Sequence, residues 1–458
     1  MSEKANKKRN YAIAKIVVVL CVVLCIVLTV FEMGFTYRVM KAAEVEGTEY
    51  SVAEYNWLYT NSLYEVYNDY YNTYGDLASY IINPNAPLDE QYLSGDEGET
   101  WADYIKKYTD SSLVTMTALY NEAAANGYEL PQEYYDSIDA EWAAAEASAK
   151  EAGYSVGNYV ELSYGRGVNE EVFRKMFETY YYAFTYAMEC VDGIEVTAED
   201  IDAYYSENAA AFDSVSYKYY YINGAAEEGE TAETAMEAAR TEAEEVLNGS
   251  KEVEFTESKY AVKANISTLY ADWLFDSARV AGDKEIFEGE SAVYVVEFVG
   301  MNDLHYNTVD VRHILVSPES SSDEAAWQDA LIEAQSYAIE WESMGKTEEA
   351  FIELADKYTE ESSAPVGGLY ENVFKGQMVT EFNDWCFDPA RTAGDSEIIK
   401  TSYGYHLMYF VGEAEEYYTY AVGEAIRNAE YSELLAGLTE GVEVTELSGY
   451  KHGGAHFN

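Results

Sequence analysis

Two stretches of this chain repeat one another, and that repeat limits the fold more than any other feature. Asp272-Trp273-Leu274-Phe275-Asp276-Ser277-Ala278-Arg279-Val280-Ala281-Gly282-Asp283 aligns without gaps on Asp384-Trp385-Cys386-Phe387-Asp388-Pro389-Ala390-Arg391-Thr392-Ala393-Gly394-Asp395. The match continues from Glu297-Phe298-Val299-Gly300 to Tyr409-Phe410-Val411-Gly412, a period of about 112 residues. Upstream, Val215 to Ile222 can be laid on Val309 to Val316. A chain with this pattern folds as two copies of one domain. The copies are not equivalent: Tyr219 and Tyr294 of the first stand where His313 and His406 stand in the second. The first copy is also shorter by about 18 residues between strand and tryptophan, and its sequence has no counterpart of the second copy's glycine-rich loop and Gln-Met turn. Chemistry is therefore expected in the second copy, with the first kept as scaffold.

The second copy opens on an alternating strand, Val311-Arg312-His313-Ile314-Leu315-Val316. Trp327, Leu331, Ala334, Ala338 and Trp341 share one helical face, and Phe351, Leu354, Ala355 and Tyr358 another. Gly367-Gly368, then Gly376-Gln377-Met378 with Phe382, lead to a last strand carrying Gly404-Tyr405-His406. These motifs, in this order and near this spacing over about a hundred residues, resemble the parvulin family of peptidyl-prolyl cis-trans isomerases. The whole chain resembles the SurA and PrsA foldases, with one degenerate and one intact parvulin copy.

Totals narrow the function classes. The 84 acidic against 28 basic residues give a formal charge of −56, which repels phosphate backbones and argues against nucleic-acid binding. Abundant tyrosine, 46 residues, argues against disorder despite that charge. Cys21, Cys25, Cys190 and Cys386 form neither a disulfide framework nor a zinc spacing, so no metal and no cofactor is expected.

Lys4, Lys7, Lys8 and Arg9 precede an uncharged run from Ile16 to Phe31. With Tyr11 to Ile13 it amounts to about 20 residues, enough to cross a hydrocarbon core of roughly 30 Å. The basic flank places the amino terminus in the cytoplasm and the rest outside. No small-x-small cleavage site follows cleanly, and Leu rather than a small residue precedes each cysteine, so an uncleaved single-pass membrane anchor is expected over 11–35.

After it, Val45 to Tyr50 reads as a short hairpin or extended lead-in, and Ser51 with Glu54 as a capping box opening a helix toward Gly75. Helical patterns recur near Trp101–Asn126, Pro131–Ala152 and Asn169–Cys190, and from Thr197 with Asp200. This block resembles the helical domain of SurA and PrsA at Val45–Tyr59 and Tyr164–Phe177. Ala421 to Leu438 reads as one more helix, expected from the resemblance to return to the helical domain. His452 and His456 lie in a Gly-rich tail expected to be disordered rather than metal-binding. The fold class is thus α+β, with a small antiparallel sheet and helices in each parvulin-like copy. Its expected parts are a basic tail (1–10), the anchor (11–35), a helical domain (36–213), a degenerate copy (214–300), an isomerase copy (301–412) and a carboxy-terminal helix and tail (413–458).

Amide resonance opposes rotation about a peptide bond by ~18–20 kcal/mol, and X-Pro bonds exchange over tens of seconds or longer. A catalyst breaks no bond; it holds the ring and favours the twisted amide over both planar forms. Met378 and Phe382, four apart after a turn, suit an apolar slot for the ring, and by resemblance form the family's proline pocket. Tyr370 falls where parvulins carry a leucine of that pocket, and Gln377 joins it as a substrate-contacting candidate. His313 and His406, by the resemblance, face one another on adjacent strands as a pair of neutral imidazoles. Glu361 matches the parvulin Cys or Asp, a carboxylate beside the amide. A histidine in a buried strand is ordinarily a packed residue; two of them together with the Gln-Met turn and Phe382 point to chemistry. The expected activity is isomerisation and folding of exported polypeptides at X-Pro bonds, against a holdase with weak or no isomerase activity, or an envelope scaffold.

Overall fold

The computed structural model describes residues 34–83, 86–94, 97–226, 229, 231–358 and 365–454. Nearly all of the expected anchor, as well as Glu361 and His456, lies outside the described residues. Among the described residues no helix is long and apolar enough to cross a membrane.

The described elements run α1 (Phe35–Val39), β1 (Lys41–Val45), β2 (Thr48–Ser51), α2 (Val52–Tyr74), α3 (Ala78–Ile81), α4 (Trp101–Ala125), α5 (Gln132–Ala152), α6 (Val156–Tyr164) and α7 (Glu170–Asp192). Next come α8 (Ala198–Phe212), β3 (Ser214–Asn223), α9 (Ala232–Leu247), β4 (Thr256–Val262), α10 (Ala271–Leu274), β5 (Lys284–Glu288) and β6 (Ala292–Met301). The second repeat holds β7 (Asn307–Val316), α11 (Glu324–Ser343), α12 (Glu348–Tyr358), β8 (Leu369–Val373), α13 (Thr380–Cys386), β9 (Ser396–Lys400) and β10 (Tyr405–Glu416). The chain closes through α14 (Tyr417–Thr439) and β11 (Thr445–Glu446).

Contacts divide the chain into one unit running to Glu195 and resuming at Asn428, and a second from Val196 to Arg427. The division falls before α8 and inside α14, whereas the sequence reading set it at 213 and 412. The reason is packing: Ile201 of α8 is buried with Val422 and Ile426 of α14, flanked by Tyr204, Tyr205 and Tyr418.

In the first unit, Glu46 and Gly47 both take positive φ, 49° and 82°, so β1 and β2 are joined by a two-residue turn whose twist suits a tight hairpin. Ser51 then caps α2: its hydroxyl accepts from Glu54 N–H at 3.2 Å and the Glu54 carboxylate accepts from Ser51 N–H at 2.5 Å. The start of α2 is buried almost all round, from Val52 to Thr60, which makes it the centre of the helical core with Ile105, Leu113, Phe173 and Met176. Late in the chain β11 pairs antiparallel with β1, giving the order β11-β1-β2. Tyr450 and Tyr55 share Asp110 through their hydroxyls, at 2.7 and 2.8 Å. Within the described part of the tail, Tyr450–His452 form a short 3-10 turn, and Gly453 and Gly454 lie against Tyr55 and Tyr59 too closely for any side chain.

The second unit holds two four-stranded sheets of identical order, β4-β3-β6-β5 and β8-β7-β10-β9, antiparallel throughout. Their registers match: Tyr219 pairs with Val296 as His313 pairs with Met408, and Tyr217 with Phe298 as Val311 with Phe410. Alternation along each strand divides the side chains between two faces. In the second sheet, Ile314, Val316, Leu407 and Tyr409 pack under α11 and α12 with Ala334, Trp341 and Phe351. Val309, Val311, Met408 and Phe410 point the other way, onto Phe382, Trp385 and Cys386 of α13. The first sheet divides similarly, with Val293 and Val295 toward α9 and Tyr217, Val296 and Phe298 toward Leu274 of α10.

Candidate active site

His313 and His406 share the parity of the face covered by α13, so the pleat alone brings both imidazoles to that side. They are diagonal neighbours across β7 and β10, since His313 pairs with Met408 and His406 with Leu315. Their rings lie 5.1 Å apart and their Nδ1 atoms 3.2 Å apart. Both are buried, 8% and 5% exposed, which disfavours the charged form. Desolvation, with the neighbouring imidazole adding to it, pushes the pKa of His313 down to about 3. Desolvation pushes His406 down to about 4. At neutral pH the pair is therefore uncharged.

Thr401, buried just before β10, completes the pair. Its Oγ1 accepts from Tyr403 N–H at 3.1 Å and lies 2.8 Å from His406 Nε2. The network closes when Thr401 donates to that nitrogen, because His406 then carries its proton on Nδ1 and donates it to His313 Nδ1. His313 is left with its proton on Nε2; a Thr401 hydroxyl that accepts from His406 Nε2 instead reverses both rings, so the hydroxyl couples the two tautomers.

Phe382, on α13, stands edge-on to both imidazoles, with centroids 5.2 Å from His313 and 5.7 Å from His406. Tyr370, from β8, lies 4.9 Å from the His313 ring and tilted 35° to it. Met378 is half-buried against the same cluster. The structure thus brings His313, His406, Phe382, Tyr370 and Met378 together. Gln377 closes its own turn, its side-chain oxygen accepting from Phe374 N–H at 3.1 Å. Asn383 holds the same turn from α13, accepting from Gly376 N–H at 2.8 Å.

On the other side of His313, Arg312 donates to Glu348 Oε1 and to the Gly367 carbonyl, both at 2.9 Å, while Gly367 N–H donates to Asp356 at 2.6 Å. Gly368 (φ 63°) has no room for a side chain, because a Cβ there would fall 2.4 Å from the His313 carbonyl oxygen. Sequence reasoning did not single out Thr401, Asn383 or Arg312. Only Thr401 left a local clue, a hydroxyl residue at the Ser-Tyr-Gly turn five positions before His406.

The equivalent face of the first sheet is lined by Tyr217, Tyr219, Tyr221, Tyr270 and Tyr294 around an open cleft of about 630 Å³, with no imidazole. In the first unit a cleft of about 810 Å³ is lined by Trp57, Tyr64, Tyr108, Phe177, Tyr180 and Phe184 among others.

Comparison with known proteins agrees with this geometry for the second repeat. Residues 313–412 match the Rotamase family, described as the PPIC-type PPIASE domain. The foldase protein PrsA 1 of Listeria monocytogenes serotype 4b (strain F2365) is 31% identical over 126 residues. That alignment covers 27% of this chain and 37% of the relative, so the chain spans well under half of the protein it matches. The crystal structure of PrsA from Bacillus subtilis shares 15% identity, with 78% of this chain and 93% of that one covered and a TM-score of 0.29. PrsA from Bacillus anthracis shares 13%, covering 72% and 93% at a TM-score of 0.20. The resemblance of the second repeat to parvulin-type isomerases is borne out, and a stretch of 126 residues is similar to a PrsA foldase.

Proposed function

We propose that the protein is a membrane-anchored, extracytoplasmic peptidyl-prolyl cis-trans isomerase and foldase that acts on exported polypeptides. The observation that carries this reading is the pair of uncharged imidazoles 3.2 Å apart beneath Phe382, inside a segment that matches a PPIase domain. A proline ring resting against Met378 and Phe382 would place its amide beside the imidazoles, away from bulk water. There the amide loses the solvent hydrogen bonds that favour its planar forms. His313 and His406 orient the site as neutral donors and acceptors, Tyr370 shapes the slot, and Glu361 supplies a carboxylate. Each tenfold gain in rate requires about 1.4 kcal/mol of preference for the twisted amide. The basic flank and uncharged run at the amino terminus support the anchor, with the two repeats outside the membrane.

The test is isomerisation of a proline peptide by the whole protein and by a His313→Ala, Met378→Ala double variant. The variant should lose on the order of 100-fold in kcat/KM, or about 2.7 kcal/mol of transition-state binding. Unchanged activity in the variant would remove the site assignment. A second reading, a holdase, draws on the aromatic cleft of about 810 Å³ in the helical unit. It gains if the wild type fails to isomerise yet suppresses aggregation of an unfolded protein, and loses if Trp57→Ala with Phe184→Ala leaves that suppression intact.

A further inference from the structure

Both sheets of the second unit carry the same irregularity on an edge strand. In β8 the register slips between Val309 and Val311, so that Glu371 and Asn372 oppose one residue of β7. In β4 it slips between Val215 and Tyr217, so that Lys259 and Tyr260 oppose Ser216. The second residue of each bulge is left-handed, with φ 51° at Asn372 and 54° at Tyr260. Asparagine tolerates that conformation; a bulky aromatic residue does not adopt it cheaply. Bulges re-aim side chains, and this one aims Tyr260 out of its own repeat.

What the ring meets is the turn that carries Met378. Gly376 (φ 88°) lies so close that a Cβ there would fall 2.7 Å from Tyr260 Cβ and 3.1 Å from its ring atoms Cγ and Cδ2. The same turn is held from a second side by Tyr306, in the connection between the repeats. The Tyr306 hydroxyl accepts from Lys375 N–H at 3.1 Å, and its ring lies 4.3 Å from Lys375 Nζ. Tyr306 is itself stacked on Tyr417, which also packs 5.1 Å from Phe374. The turn from Phe374 to Met378 is bracketed by aromatic rings, and the one on Gly376 belongs to the repeat that lacks imidazoles.

We propose that Tyr260 is a positioning residue for the proline slot: the first repeat presses its ring on Gly376 and thereby sets where Met378 stands. This explains why a tyrosine occupies a backbone position that its own counterpart fills with asparagine. The inference rests on the isomerase reading for its kinetic consequence but not for its structural one.

The test uses the whole protein with Tyr260→Asn, which removes the ring while suiting the left-handed backbone, and Tyr260→Phe, which keeps the ring. Tyr260→Asn should melt no lower than the wild type, raise KM for a proline peptide about five-fold and leave kcat within about two-fold. Amide exchange at Gly376 and Gln377 should quicken on the order of ten-fold, as expected for a turn released to local opening. Tyr260→Phe should match the wild type in all three. In an active protein, an unchanged KM in Tyr260→Asn, or an equal loss in Tyr260→Phe, overturns the proposal. If the wild type proves inactive, the isomerase reading falls, and the exchange rates alone decide whether Tyr260 holds the turn.

Discussion

Thr401→Val tests the logic of the imidazole pair with little change of shape. Thr401 is 3% exposed, and its hydroxyl serves both His406 Nε2 and Tyr403 N–H. Valine removes both contacts. Tyr403 is 63% exposed, so water can take over at that end. His406 is 5% exposed, and its nitrogen would be left buried without a partner, at a cost of about 1–3 kcal/mol. The midpoint of the expectation, about 2 kcal/mol, corresponds to a fall in melting temperature of roughly 4–8 °C for a unit of this size. Loss of the hydroxyl that couples the two tautomers should also lower kcat/KM by about tenfold, or 1.4 kcal/mol. Urea and thermal denaturation of wild type, Thr401→Val and Thr401→Ser would measure it, with serine restoring most of the loss because it keeps the hydroxyl. If valine matches the wild type within about 0.5 kcal/mol, or serine is as damaging as valine, the hydroxyl does not hold the pair.

Acid should destabilise the second unit before most of its carboxylates titrate. Both histidines have pKa values lowered in the fold from an ordinary 6.5, so the unfolded chain takes up protons that the fold refuses as pH falls from about 6.5 toward about 4. Stability that is full above pH 6.5 should fall by up to about 1.4 kcal/mol per pH unit for each histidine. Urea midpoints between pH 7.5 and 5 should show a shallower slope in His313→Asn; equal slopes would contradict the assignment. Gly368→Ala should cost about 2 kcal/mol or more, since strain at φ 63° adds to a clash with the His313 carbonyl. Gly437→Ala, on the open side of α14, should be neutral or stabilising by up to about 1 kcal/mol in the same thermal melts.

Much of this was legible in the sequence because it rests on period and repetition. The parvulin resemblance set His313 and His406 facing one another on adjacent strands, and the doubled Asp-Trp…Gly-Asp stretch announced two copies of one domain. The capping box at Ser51 marked the start of α2 to the residue. What stayed hidden depends on contacts distant in sequence or on backbone angles. Two residues at β11 carry no strand pattern, and only pairing with β1 makes them a strand. The hold of Gln377 on its own turn was hidden as well, since a side chain one turn away from its own backbone is readily captured by it. The left-handed angle at Tyr260 contradicts residue preference, so no local rule could have found it.

The pairing of β11 with β1 also sets a timetable. A ribosome making this chain completes Lys41–Val45 roughly 400 residues before Thr445–Glu446, a delay on the order of 20–80 s at ~5–20 residues per second. Throughout that interval one border of β1 stands without its neighbour, and within it the whole stretch from Val196 to Arg427 is synthesised. The part of the protein that is translated first is therefore the last to be finished, and the repeat bearing the imidazoles can be complete ahead of it.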